Sequence, residues 1–324
     1  HWSEGALAAA GFFALVLASY ALLFGVLSFT RTGRLFHEAI SAVQSRGSVL
    51  GRWGWFRAWQ KRRNRFGYSR GPMETAVNWL PGLQADTRAV LVKDVRVFWR
   101  DTTQWGQTLV LFGLLGVYII NLRHFTHQLT NPFWVNLVSF LNLGACSLNL
   151  ATLTTRFVYP QFSLEGKRLW IVGLAPLGLA RLIKVKFGLA SGASLCVTLG
   201  LVGLSCQMLK MPWDRTGYFA VAVAIMTFTL NGLAVGLGVL YPNFKEDNPS
   251  KIVSGFGGTF CLVLSFLYIV ASIALLAVGS PWAFRGRQSF VWMAGSWAGF
   301  AVLSTVLGWS PLKYALRKVR TFEL

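Results

Sequence analysis

Residues 217–242 read GYFAVAVAIMTFTLNGLAVGLGVLYP, and from Gly217 to Leu240 no side chain carries a charge. At 1.5 Å per residue a helix of that length covers about 36 Å, enough to cross the ~30 Å hydrocarbon core of a bilayer. Such a run reads as a membrane span. Working outward, six more windows of the same kind appear, at about 5–29, 104–122, 133–153, 186–206, 255–279 and 290–309, each rich in Leu, Val, Ala, Phe and Gly. The expected fold is all-α, a polytopic transmembrane helical bundle of about seven spans. Composition agrees. The 324 residues are 54% hydrophobic and 13% charged, with a mean hydropathy of +0.50, whereas soluble domains carry about a quarter charged residues.

The net charge of +20 is informative through its placement. Assigning alternate connections to opposite sides puts 26 of the 31 Lys and Arg on one side and 5 on the other. Without residues 30–103 the split is still 12 to 5. Cations collect on the cytoplasmic side of membrane proteins, so the N-terminus is expected outside and the C-terminus inside. In the basic linker, RWGWFRAWQKRRNRF (Arg52 to Phe66) interleaves Trp and Phe with Arg and Lys. That pattern could stack on nucleic-acid bases. Beside a membrane it is better read as resting on anionic headgroups, and nucleic acid is disfavoured as a partner.

Most catalytic classes are excluded. The chain has no GxxxxGK[ST], no GxGxxG opening a helix after a strand and no HExxH. Its four cysteines, Cys146, Cys196, Cys206 and Cys261, form no CxxC pair and read as buried small hydrophobes. His124 and His127 form an HxxH without a third ligand, so no metal and no cofactor is expected. All eleven acids fall outside the spans, which disfavours an intramembrane enzyme or an ion-coupled carrier. The polar groups within the spans are neutral, among them Asn142, Asn149 and Asn231. Asn142 and Asn149 are seven apart and share a helix face. They read either as interhelical hydrogen-bonding groups or as a polar stripe on a substrate path. Gly232, Gly236 and Gly238 make a small-residue face for close helix packing.

Two connections share a pattern. FVYPQFSLEGKRLW (Phe157 to Trp170) and VLYPNFKEDNPSK (Val239 to Lys251) each give Tyr-Pro, an amide, Phe, then acid and Lys. By the charge split both face the cytoplasm. Pro160 is expected to end or kink the exiting helix, and Glu165 and Lys167 are placed to meet a partner's surface or lipid headgroups. Upstream, DTRAVLVKDVRVFWRD (Asp86 to Asp101) reads as a surface helix. Leu91, Val95 and Phe98 line its apolar side, and Lys93, Arg96 and Arg100 its polar side.

The order of elbow helix, two spans, basic loop and four spans resembles the six-span half of a type-2 ATP-binding-cassette (ABC) exporter permease. The strings FVYPQFSLEGKRLWIVGLAPL and YPNFKEDNPSKIVSGFGG resemble a bacterial subgroup of ABC permeases. The resemblance covers roughly residues 80–324. It implies a multi-pass protein of the bacterial plasma (inner) membrane, an exporter driven by a separate cytoplasmic ABC ATPase subunit. It also implies an elbow helix with Lys93, Asp94, Arg96 and Arg100 and an ATPase-coupling loop with Tyr159, Pro160, Glu165, Lys167 and Arg168. A second contact would carry Lys245, Glu246 and Asp247, and Asn142, Asn149 and Asn231 would line the polar path. The domains expected are a span at 1–30, a basic linker at 31–83 and a permease domain at 84–324. The first span is expected to close a preceding permease half, the alternative partner being a second permease copy. Outside this resemblance, a membrane scaffold binding a cytoplasmic partner without transport stays open.

Overall fold

The computed structural model describes residues 15–16, 18–26, 84–100, 106, 108–117, 120, 132–166, 178–246, 248–282 and 290–322. The chain forms two compact units, His1–Gly71 and Pro72–Leu324. In the first, residues 18–26 are helical and expose Tyr20, Leu22, Leu23, Phe24 and Val26. The basic linker, the HxxH, Lys167, Arg168 and Asp247 lie outside the described residues.

The second unit is built from helices, with no strand among the described residues. We label them α1 (Ala85–Arg100), α2 (Thr108–Val117), α3 (Pro132–Leu153), α4 (Leu179–Met208), α5 (Trp213–Leu240), α6 (Phe256–Val278) and α7 (Phe290–Phe322). Helices α3 to α7 are long and apolar enough to cross a membrane, and α2 is a shorter apolar helix. The protein is an all-α polytopic bundle.

Helix α5 sits at its centre and packs against α3, α4, α6 and α7. It is the stretch with no charged face, and its residues from Thr229 to Val239 are all buried. The small face read at Gly232 and Gly236 meets α7: a Cβ on Gly232 would lie 2.6 Å from the Gly308 carbonyl oxygen, and one on Gly236 2.6 Å from Pro311. Backbones approach this closely only where side chains are missing, and small residues serve that purpose where lipid supplies no hydrophobic drive.

Two helix ends differ from the sequence expectation. Helix α4 starts at Leu179, not near 186, so Arg181, Lys184 and Lys186 belong to its first turns. Gly178, at φ 64°, turns the chain into it, an angle that side-chain-bearing residues rarely adopt. Helix α7 runs through Pro311 to Phe322, well past 309. Its last turns are held by Leu312, Ala315 and Val319, which are buried in the core formed with α5. The end of an apolar run is therefore not where the helix stops.

Candidate functional site

Both Tyr-Pro segments lie at one end of the bundle. Helix α3 loses its regular form before Pro160. It widens into a π turn, Thr154–Val158, closed by Tyr159 N–H donating to the Thr154 carbonyl at 3.0 Å, and then forms a one-turn helix, Gln161–Leu164. π turns relax the ordinary helical ladder and recur at functional positions. Tyr159 is 2% exposed, and its hydroxyl donates to the Tyr241 carbonyl at 3.1 Å. Its backbone and ring are gripped by α5 and α6. A Cβ on Gly238 would collide with the Tyr159 carbonyl, and one on Gly257 with its hydroxyl.

The two segments meet each other, at the matching Tyr159–Tyr241 and Phe162–Phe244 positions and at one further hydrogen bond. Beside the Tyr159–Tyr241 link, Asn243 N–H donates to the Ser163 hydroxyl at 3.1 Å, and the Phe162 and Phe244 rings lie 6.1 Å apart. The two similar strings thus make one composite platform. Asn248 caps a further one-turn helix, Pro249–Val253, accepting from Ser250 N–H at 3.0 Å. Leu164, Tyr241, Phe244 and Lys245 are exposed on the platform, and Glu246 pairs with Lys251 at 3.6 Å.

Behind the platform lies an ionic cluster. Lys186 of α4 reaches Asp94 of α1 at 3.0 Å and Glu165 at 3.0 Å. Lys93 pairs with the same Glu165 oxygen and lies 3.5 Å from Asp94. Exposure of these side chains is 6% for Lys186, 10% for Glu165, 14% for Asp94 and 43% for Lys93. Two ammoniums and two carboxylates leave the cluster neutral, as such burial demands. Burial alone pushes the Glu165 carboxyl up. The Lys186 and Lys93 ammoniums beside it outweigh this and hold it below its ordinary value. Helix α1 is fastened to the bundle here, with Phe98 edge-on to Phe157 at 5.9 Å and Gln84 accepting from Arg181.

The sequence placed Glu165 on a surface, for a partner or for lipid headgroups. The structure turns its carboxylate inward, because Lys186 sits inside α4 rather than in the loop. Tyr159 and Pro160 are likewise buried. Asp94 of α1 faces Lys186. Arg96 stands on the exposed side of α1, and the side chain of Arg100 lies outside those described. Lys186 was missed as a site residue, although a lysine at the border of an apolar window was the signal for it.

Asn142, Asn149 and Asn231 are all buried in the bundle interior. Asn142 Nδ2 donates to Ser205 Oγ at 2.9 Å and Asn231 Nδ2 to the Thr227 carbonyl at 2.8 Å. The opposite end of the bundle has its own tie. Arg215 Nη1 donates to Asn136 Oδ1 at 3.0 Å while its guanidinium lies 4.9 Å from the Trp282 ring centre.

The structure joins long apolar helices to an amphipathic helix that is ion-paired to the segment following α3 and to α4. Comparison with known proteins gives it a family. The model of the family described as "Putative ATP-binding cassette" matches residues 1–324. No curated protein and no solved structure matches the chain. This multi-pass membrane protein belongs to the "Putative ATP-binding cassette" family and is related to ABC transporters.

Proposed function

We propose that the chain is the membrane-spanning permease subunit of an ABC exporter in the bacterial inner membrane. A separate cytoplasmic ATPase subunit hydrolyses ATP, and this chain is non-catalytic. That division is supported by the sequence, which lacks a phosphate-binding loop. A second half, either a preceding permease half or a second copy, completes the pathway.

The observation that carries the reading is the fastening of Glu165 to both α1, through Lys93, and α4, through Lys186. In the proposed cycle the ATPase bears on the exposed rim of the composite platform, at Leu164, Phe244, Lys245 and Glu246. Displacement of the Gln161–Leu164 turn then carries α1 and α4 through the Glu165 pairs. The Tyr159–Tyr241 contact passes it to α5 and α6, with the π turn as the compliant joint in α3. Alternating access follows if this motion shifts the helices between two packings.

The test is to co-express the full-length protein with an ABC ATPase of the same organism and reconstitute both in lipid. The expected result is a complex whose ATP hydrolysis depends on the permease. A scaffold would bind its partner indifferently to nucleotide and leave hydrolysis unchanged, and that result would replace the transport reading.

A further inference from the structure

The interface of α3, α4 and α5 carries a ladder of neutral polar groups. On α4, Ser205, Thr198 and Ser191 recur every seven residues, and on α3 Asn142 and Asn149 do the same. Seven residues are two turns, so each set lies on one face. The contacts fix the register. Asn142 meets Ser205. Seven residues on along α3 and seven back along α4 bring Asn149 level with Thr198. Thr198 Oγ1 is 3.2 Å from Thr227 Oγ1 of α5, and Asn231 lies one turn further along that helix.

The ladder is incompletely paired. Asn142 Oδ1, Asn149 Nδ2, Asn231 Oδ1 and Ser191 Oγ have no hydrogen-bond partner among the described residues, and the four residues are 2%, 9%, 0% and 2% exposed. In a membrane the surrounding lipid offers no partner either. Acceptors, a donor and a hydroxyl in one seam call for an occupant that both donates and accepts. The seam groups named are themselves all neutral, and a neutral occupant matches them. Toward the α1 end of α4 and α5 lies a cavity of about 10 Å³ beside Lys186, lined also by Val158, Ile183 and Val239, room for about one water molecule.

We propose that the α3–α4–α5 seam is a binding site for water, a buried hydrated track held by Asn142, Asn149, Asn231 and Ser191 and running toward the ionic cluster. The inference stands apart from the transport reading, since it concerns what fills the bundle at rest. Met226 reports on it. The residue is 0% exposed, yet its Sδ lies 3.2 Å from Ser147 Oγ, beside Thr227 in the seam.

The experiment is radiolytic hydroxyl-radical footprinting of the full-length protein in lipid nanodiscs, which oxidises side chains touching water. Met226 is expected to oxidise within about tenfold of the part-exposed Met211. In an Asn149→Leu/Asn231→Leu variant its oxidation should fall by roughly fivefold or more. Met226 at background in the wild type means a dry seam and overturns the proposal, whether or not the variant folds. Oxidation that persists in a folded variant places the water elsewhere and overturns it equally.

Discussion

Replacing Glu165 by Gln leaves the Lys186 ammonium buried with Asp94 as its remaining counter-charge. Breaking a buried pair from one side costs about 3–5 kcal/mol. Lys93→Met removes an ammonium that is 43% exposed, and such a pair contributes roughly 0–1 kcal/mol. Melting in nanodiscs should therefore drop well below wild type for Glu165→Gln and only slightly for Lys93→Met. Because the Glu165 carboxyl is held below its ordinary 4.5, its stabilising effect is full above that value and is lost as pH falls through the lowered one. The acid limb of a melting-temperature profile should lie below pH 4.5 and flatten in Glu165→Gln. A limb unchanged by the substitution would assign it to other carboxylates. None of this was legible at Glu165 itself. Its partners lie at positions 93 and 186, and an acid in a polar loop looks the same whether it faces a partner or the bundle interior.

Among elements, the two Tyr-Pro segments act as one because their matching residues touch. Tyr159→Phe removes the hydroxyl that reaches the Tyr241 carbonyl and should cost about 1 kcal/mol. Gly257→Ala puts a methyl against that hydroxyl, and overpacking of this kind costs about 1–3 kcal/mol. Thermal melting of the two variants checks both, with Gly257→Ala expected to be the lower. The sequence made the likeness of the segments visible but not their contact, which depends on how α3, α5 and α6 converge. The apolar windows were legible because a charge-free run of this length has few alternatives. The ends of α4 and α7 were not, since a helix anchored by Leu182, Ile183, Leu312 and Val319 continues beyond its apolar run. The heptad of Ser205, Thr198 and Ser191 was present in the sequence. It gains meaning only when Asn142 fixes the register of α3 against it.

For the whole molecule, the charge split implies that the platform faces the cytoplasm and the α4–α5 turn the outside. A membrane-impermeant maleimide applied to intact cells should label Lys210→Cys and spare Lys245→Cys, both being exposed positions, with wild type as the control for Cys196. The reverse pattern would invert the topology and remove the platform from any cytoplasmic ATPase. The central claim is that the Glu165 fastening transmits an ATPase's motion into the bundle. It is tested most directly by ATP hydrolysis of the reconstituted complex, comparing wild type with Lys93→Met, the substitution that loosens α1 with least loss of stability. The account predicts that the variant complex assembles while its permease-dependent hydrolysis falls by about threefold, the equivalent of roughly 0.7 kcal/mol and within what such a pair contributes. Normal assembly with undiminished hydrolysis would show that the fastening holds the fold together and transmits nothing.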